Sequence, residues 1–169
     1  HGEGEPPGEP PGEPLLLVHG YTGDITDWRF QVSEFSHTHR VLVFDHRGHG
    51  RSEAPTDRAT YAIEQMADDV EAIADRVGFE RYHLLGHSMG GAVAQEVALR
   101  SPGRLMSLTL HDSGNRPAER AGTLATVCAY MRTIEESYDW EVIVVDDGSK
   151  DETLELADAF AVDEPHVRV

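Results

Sequence analysis

Short apolar runs along the chain alternate with stretches in which apolar residues recur every three or four positions. The runs are PLLLV, VLVF, YHLL and SLTL, and each precedes glycine or polar residues, as buried strands typically do. Apolar residues from Ile63 to Val77 fall on one face of a predicted helix that stops at Gly78, and a second helix is predicted over residues 92–99. Strands that alternate with helices indicate an α/β fold with a mostly parallel sheet.

The texture of the chain changes after residue 115. A polar and then helical segment is followed by WEVIVVDDGSKDETLELADAFAVDEPHVRV, which predicts a strand, an acidic loop, a helix and a short final strand. Right-handed crossovers allow these strands to extend the sheet.

The predicted domain organisation follows from these patterns. Residues 1–14, HGEGEPPGEPPGEP, contain no large apolar side chain and predict a disordered arm. Residues 15–169 predict a single domain, because their number suits one hydrophobic core. Within that domain we distinguish a core over 15–115, a junction over 116–132 and a final segment over 133–169. Because the first residue is His1 and no signal pattern follows, the chain is interpreted as processed, tagged or partial.

Composition narrows the classes of partner. The formal net charge of -17 argues against binding to nucleic acid or to an anionic membrane surface. No apolar run of about 18 residues is present, so no membrane span is predicted. The single cysteine, Cys128, cannot form an internal disulfide and is predicted to be a buried apolar side chain. These features favour a cytoplasmic protein that acts on small molecules.

One glycine-rich motif carries the strongest chemical signal. The sequence YHLLGHSMGGAVAQEVAL predicts a strand, a sharp turn at Ser88 and then a helix. Gly86 and Gly90 allow the backbone to turn so tightly that the serine projects above the sheet. The helix that follows favours developing negative charge, and the amide of Met89 is placed to donate to an oxyanion. Ser88 is therefore the predicted nucleophile.

With this motif the chain resembles the α/β-hydrolase superfamily, in its branch of esterases, lactonases and cofactor-free haloperoxidases. LLLVHGYTGDITDW resembles the oxyanion loop of that family, VLVFDHRGHGRSEAP its following strand and loop, and YHLLGHSMGG its nucleophile elbow. The resemblance covers about residues 12–115 and implies a truncated three-layer αβα sandwich. It also implies that Tyr21 supplies the second oxyanion amide beside that of Met89.

A cluster of histidines raises the question of a metal site. Asp45, His46, Arg47 and His49 lie within one loop, and two histidines three residues apart beside an aspartate can bind a metal. The resemblance implies instead that this loop is structural. It likewise implies that His19 packs and does not act as a base. We therefore expect neither a metal nor a cofactor.

A second resemblance concerns residues 139–169. DWEVIVVDDGSKDETLELADAF and the final PHVRV are similar to the first βαβ unit of family 2 glycosyltransferases. That resemblance implies contact of Asp146 and Asp147 with a nucleotide. The metal-binding D-x-D of that family is missing from the sequence, so sugar transfer is not expected. Together the two resemblances predict a composite, or chimeric, chain. Because both families continue with parallel strands joined by right-handed crossovers, the resemblances imply one six-stranded, doubly wound sheet, with VLVF at one edge, HVRV at the other and VIVV beside SLTL. The competing hypothesis is a hydrolase fragment with a dangling βα hairpin.

A serine nucleophile needs a base, and the base needs an acid to orient it. The candidate acids are Asp112, Asp146 and Asp147, which follow predicted strands. The candidate bases are His111 and His166. His166 precedes the last strand, so it is expected at the amino end of the sheet, far from Ser88.

These features predict a serine hydrolase that acts on a small carboxylic ester or lactone. Because no histidine is clearly placed as the base, we expect weak or absent esterase activity. Two alternatives stay open: a non-catalytic chain that keeps the hydrolase shape, and a nucleotide-sugar binder. An exposed edge strand at HVRV offers a route to a homo-oligomer.

Overall fold

The computed structural model describes residues 12–111, 113, 124–125, 128–129, 131–132, 141–146, 148, 150 and 152–169. The strands are β1 (Pro14–Val18), β2 (Arg40–Val43), β3 (Tyr82–His87), β4 (Leu105–His111), β5 (Val142–Val145) and β6 (Val167–Arg168). The longer helices are α1 (Arg29–Phe35), α2 (Ile63–Arg76), α3 (Met89–Arg100) and α4 (Thr153–Asp163). Three short 3-10 helices span Ile25–Trp28, Arg58–Tyr61 and Pro102–Arg104.

The strands form one six-stranded sheet in the order β2-β1-β3-β4-β5-β6, and every pair is parallel. As predicted from the sequence, VLVF and HVRV lie at opposite edges and VIVV lies beside SLTL. The fifth and sixth strands continue the register of the first four, since Leu108 pairs with Val142 and Val142 with Val167. The segment after residue 140 thus completes the sheet and does not hang from it.

Strand β1 lies inside the sheet and separates two hydrophobic cores. Successive side chains of a strand point to opposite faces. Leu16 and Val18 accordingly pack into a larger core with α2 and α3, whereas Leu15 and Leu17 pack with Trp28 in a smaller core beside α1. Helices therefore cover both faces, as expected for a doubly wound, three-layer fold.

Helix α2 shows how the apolar pattern becomes packing. Met66, Ala67, Val70 and Ala74 are the buried residues of the helix, and they recur at three- and four-residue spacing. The helix ends at Gly78, which has a φ of 74°. The amide of Phe79 donates to Ala74 O and the amide of Gly78 to Asp75 O, the arrangement of a Schellman cap. The predicted stop at Gly78 therefore has a physical cause.

The segment between β4 and β5 contributes to the larger core. Leu124, Cys128 and Met131 are helical and buried there. Burial of Cys128 was predicted from the sequence, and desolvation raises the pKa of its thiol. Most of the predicted junction and residues 1–11 of the predicted arm lie outside the described residues. None of the described helices is long and apolar enough to cross a membrane.

Candidate active site

Ser88 occupies a strained turn between β3 and α3. Its φ of 54° and ψ of -118° make it the one non-glycine residue with positive φ among the described residues. Such a conformation costs about 1–3 kcal/mol and persists only where the surrounding structure imposes it. Strain of this kind is characteristic of a nucleophile held in a fixed position.

Three glycines allow this turn to pack against its neighbours. A Cβ at Gly86 would lie 2.3 Å from Gly90 O, and one at Gly90 would lie 2.2 Å from Val18 O. A Cβ at Gly91 would lie 1.7 Å from Ser113 Oγ. Real Cβ atoms do not approach other atoms this closely. Glycine is therefore required here by the closeness of the strand, the elbow and β1, and the backbone angles at these positions are ordinary.

The elbow is anchored to the carboxyl end of β4. The amide of Ser88 donates to His111 O at 3.0 Å. The hydroxyl of Ser113 lies 3.1 Å from Gly86 O and 2.9 Å from His111 O. Sequence reasoning did not identify Ser113, and the only signal for it was a small polar residue shortly after a predicted strand.

The loop after β1 approaches the elbow closely. A Cβ at Gly20 would lie 3.1 Å from Ser88 Cβ. Tyr21 and Met89, the two predicted oxyanion donors, line the same cavity. The structure thus brings together the three residues on which acyl chemistry would depend.

His19 fixes the peptide that carries the amide of Tyr21. The ring is fully buried, its Nε2 accepts from the amide of His46 at 3.0 Å, and its Nδ1 lies 2.8 Å from Gly20 O. A backbone amide can only donate, so the proton sits on Nδ1, which donates to Gly20 O. Because the peptide group is planar, holding Gly20 O also sets the direction of the Tyr21 N–H. Both ring nitrogens are thus occupied, so His19 has no lone pair left to act as a base.

His49 holds the same loop from its other side. Its Nδ1 lies 3.0 Å from Arg47 O, and its Nε2 hydrogen-bonds to Tyr21 O. Both partners are carbonyl oxygens, so a neutral ring, which carries one N–H, donates to only one of them at a time. The ring contacts both the loop after β1 and the loop that follows β2.

His46 is buried between these rings. It is fully inaccessible to solvent, and neither ring nitrogen has a hydrogen-bond partner among the described residues. Burial, with a smaller contribution from His19, lowers the pKa of His46 to about 4. The ring is therefore neutral near pH 7 and packs edge-on against His19 and Phe44.

The acidic and basic groups of this loop form hydrogen bonds within the protein. Asp45 accepts from the amides of Ile25 and Arg51, and Arg47 forms two hydrogen bonds with Asp69. Hydrogen bonds from Arg51 and Ile25, acting against partial burial, lower the pKa of Asp45. No three metal-ligating side chains among the described residues are arranged to hold an ion.

The candidate acids are placed only in part. Asp112 and Asp147 lie outside the described residues. Asp146 directly follows β5 and therefore lies at the carboxyl ends of the strands, as Ser88 does. Its Oδ2 accepts a hydrogen bond from the amide of Gly148 at 3.1 Å. Since β4 lies between β3 and β5, Asp146 sits about 10 Å across the sheet from the elbow.

The candidate bases lie at opposite ends of the sheet. His111 is in register with His87, and their ring centroids are 5.0 Å apart. His111 meets the elbow through its carbonyl group. Among the described residues, no imidazole forms a hydrogen bond with Ser88 Oγ.

His166 lies at the amino ends of the strands. Its carbonyl accepts from the amide of Val142 at 2.8 Å, and its side chain borders a cavity together with His83 and Glu141. His83 precedes Ser88 by five residues on β3, which corresponds to about 17 Å of strand. The structure therefore does not bring His166 to Ser88.

A cavity of about 570 Å³ adjoins the loop after β1 and the start of α3. Its lining residues are Tyr21, Gly48, His49, Arg58, Tyr61, Met66 and Met89. Aromatic and thioether side chains predominate, and the volume suits a small organic molecule.

The fold and this elbow are those of a known class of protein. A family model described as the alpha/beta hydrolase fold matches residues 13–144. The chain belongs to this family. The match extends past residue 115, where the sequence resemblance was expected to end, into β5.

Individual relatives support the same assignment. The proposed carbamate hydrolase RutD of Variovorax paradoxus is 41% identical over 104 residues, which are 61% of this chain and 39% of RutD. The solved structure of the N-acyl homoserine lactonase AidH complexed with N-butanoyl homoserine is 28% identical, with a TM-score of 0.60. The aligned region covers 68% of this chain and 42% of the AidH chain.

One solved structure covers nearly the whole chain. A hydrolase from Pseudomonas aeruginosa PA01 aligns with 93% of this chain and 80% of its own, with a TM-score of 0.69 and 19% identity. At that identity the likeness shows the fold alone. The curated relatives are longer: the chain spans about a quarter to two fifths of their length.

Proposed function

We propose that this chain cleaves small carboxylic esters or lactones through Ser88. The observation that carries the proposal is the strained Ser88 turn, which lies against the oxyanion loop at Gly20 and beside a cavity lined by Tyr21 and Met89. The relatives named above include a lactonase and a proposed carbamate hydrolase. Substrates of that general kind carry a carbonyl carbon bonded to a leaving heteroatom.

In the proposed reaction, Ser88 Oγ bonds to the carbonyl carbon and the carbonyl electron pair moves onto oxygen. The amides of Tyr21 and Met89 donate to that oxyanion. Collapse of the intermediate expels the alkoxide, which takes up a proton and leaves an acyl-serine. Water then attacks the acyl group, which releases the carboxylic acid and restores the hydroxyl.

The reaction also needs a group that accepts the hydroxyl proton of Ser88. Because no described imidazole hydrogen-bonds to Oγ, we assign its first acceptor to solvent water. Of the predicted bases, His111 is the one that lies at the carboxyl ends of the strands, as Ser88 does. Asp112, Asp146 and Asp147 stay the predicted acids. A site without a working base loses several powers of ten in rate but keeps the contribution of the oxyanion donors. We therefore expect slow turnover.

The test combines p-nitrophenyl acetate hydrolysis with fluorophosphonate labelling. Wild-type protein is expected to hydrolyse the ester slowly and to be labelled at Ser88, and Ser88→Ala abolishes both. Ser107→Ala is the matched control, because Ser107 lies near the opposite end of the strands, where it hydrogen-bonds to His83. Turnover or labelling that persists in Ser88→Ala would contradict the proposal.

A non-catalytic role is the alternative that one observation favours, namely that no described imidazole is hydrogen-bonded to Ser88. Under that alternative, neither ester turnover nor labelling of Ser88 exceeds that of Ser88→Ala.

The other alternative, nucleotide-sugar binding through Asp146 and Asp147, is tested by thermal unfolding with millimolar UDP. An unchanged melting temperature would count against it.

A further inference from the structure

The cavity beside the oxyanion donors contains one permanent cation. Most of its lining is apolar or aromatic, from Tyr21, Tyr61, Met66 and Met89. Arg58 contributes a guanidinium group, which stays charged at every physiological pH. The two nitrogens of His49, which also lines the cavity, are turned to the carbonyls of Arg47 and Tyr21.

Arg58 has no hydrogen-bond or ion-pair partner among the described residues. The nearest acid in sequence, Asp57, uses its side chain to accept from the amide of Ala59 at 2.9 Å. The hydroxyl of Tyr61 donates to Pro55 O. Neither of these neighbouring groups is hydrogen-bonded to the Arg58 guanidinium.

Ion pairs with carboxylates are common, though not universal, among the other arginines of the described structure. Five of them form ion pairs with carboxylates: Arg47, Arg100, Arg104, Arg132 and Arg168. The chain has 31 acidic residues and 14 lysines and arginines, so a carboxylate is easily found for a cation. An arginine that borders the cavity without one leaves its charge for a ligand.

We propose that Arg58 determines specificity by binding a carboxylate on the substrate, so that the preferred substrates are esters or lactones that also carry a carboxylate. The part of this inference that concerns ester cleavage rests on the proposed function, whereas the binding of a carboxylate by Arg58 does not depend on it. The planar guanidinium fits a carboxylate with two parallel hydrogen bonds. A carboxylate is favoured over a phosphate monoester, because the lining offers one permanent charge and a dianion would need more.

The binding interaction should be retained in the transition state without strengthening there, because Arg58 lies beyond the reacting atoms. Removing such an interaction raises KM and leaves kcat unchanged. Since Arg58 is exposed to solvent, the effect should be about tenfold and should weaken as salt is added.

The first measurement compares mono-p-nitrophenyl glutarate, which is anionic, with neutral p-nitrophenyl butyrate. Wild-type protein is expected to favour the anionic ester. Arg58→Gln should raise KM about tenfold for the anionic ester alone, and Arg58→Lys should recover part of the loss. Arg76→Gln is the control, because Arg76 also lacks a described partner but ends α2 away from the cavity lining. Equal loss on both esters would overturn the inference.

The second measurement does not depend on catalysis. Monomethyl glutarate is titrated calorimetrically into Ser88→Ala protein with Arg58 either intact or replaced by glutamine. About tenfold weaker binding without Arg58 supports the inference even if no ester is ever hydrolysed. Unchanged binding refutes it even if Ser88 proves to be the nucleophile. The two proposals therefore fail separately.

Discussion

The two ends of the strands differ in backbone strain. At the amino ends, His83 hydrogen-bonds to Ser107 and to Glu13, and Arg168 pairs with Glu141. At the carboxyl ends, Ser88 is held in a strained turn and His46 is buried with neither nitrogen paired among the described residues. Buried polar atoms without a hydrogen-bond partner among the described residues occur at both ends, since Tyr82 Oη and Glu164 Oε2 lie near the amino ends. The strained non-glycine backbone, in contrast, lies at the end that faces the cavity.

This contrast explains why His166 is a poor candidate for the base. Active sites of open parallel sheets lie at the carboxyl ends of their strands, and His166 lies at the other end. A histidine near the last strand is therefore useful only if it follows that strand. The following predictions test whether the carboxyl ends store strain while the amino ends do not, beginning with the largest expected effect.

Replacing Gly90 by alanine should be the most damaging change. The added Cβ would meet the carbonyl of Val18 at 2.2 Å, and backbone on both sides prevents relief. We expect a loss of about 3 kcal/mol or more in the free energy of unfolding, measured in urea. The control is Gly78→Ala, where a Cβ meets nothing within 4 Å and only the φ of 74° is unfavourable, at a cost of about 1 kcal/mol. Equal losses would show that the elbow is not tightly packed.

Acid should destabilise the protein through His46. Its pKa is about 4 in the folded state and about 6.5 when unfolded, so between these values the unfolded chain binds the extra proton. Stability is unaffected above pH 6.5 and falls as the pH drops from 6.5 to 4, by about 3 kcal/mol at most. His46→Phe should remove this part of the pH dependence, measured by urea unfolding at several pH values. An unchanged pH profile in His46→Phe would contradict the prediction.

Relieving the turn at Ser88 should stabilise the fold. Glycine tolerates positive φ, so Ser88→Gly is expected to raise the free energy of unfolding by about 1 kcal/mol. Ser88→Ala keeps the Cβ and therefore the strain, so it should give no such gain, although both variants lose fluorophosphonate labelling. If the alanine variant gained as much as the glycine variant, the strain would not lie in the backbone.

Ser113, which follows β4, and Ser107, which lies within β4, allow a direct comparison of the two ends of the strands. Ser113→Ala removes the hydroxyl that bridges the elbow to β4, at an expected cost of about 1 kcal/mol together with slower labelling of Ser88. Ser107→Ala removes one hydrogen bond to His83, which keeps Glu13 as a partner, so the cost should be less than about 0.5 kcal/mol. Slower labelling in Ser107→Ala would break the comparison.

Most of the fold was accessible from the sequence, because it depends on local patterns. The apolar runs predicted β1 to β4, and the spacing from Ile63 to Val77 predicted α2 with its stop at Gly78. The two edge strands and the place of VIVV beside SLTL were also predicted, because the two family resemblances imply parallel strands joined by right-handed crossovers; the positions of β1 and β3 were not predicted. The predicted division at residue 115 stays a prediction, and the family match across it shows that the hydrolase pattern continues further.

The site was predictable only where a motif is contiguous. Ser88, Tyr21 and Met89 could be proposed because each lies in a short segment whose local geometry is stereotyped, and their roles stay predictions. Ser113 and the unpartnered state of Arg58 were not found, because they depend on groups distant in sequence. The placement of an imidazole beside Ser88 depends equally on distant parts of the chain.

The sequence by itself therefore determined the elements, their order and the position of the serine turn, since hydrophobic period and glycine placement act over a few residues. Only the tertiary structure decided which polar groups meet. In that structure both ring nitrogens of His19 form hydrogen bonds with backbone groups, His46 is buried without a described hydrogen-bond partner, and His166 lies at the amino ends of the strands. Such pairings depend on strand register and close packing, which bring together residues that no local pattern connects.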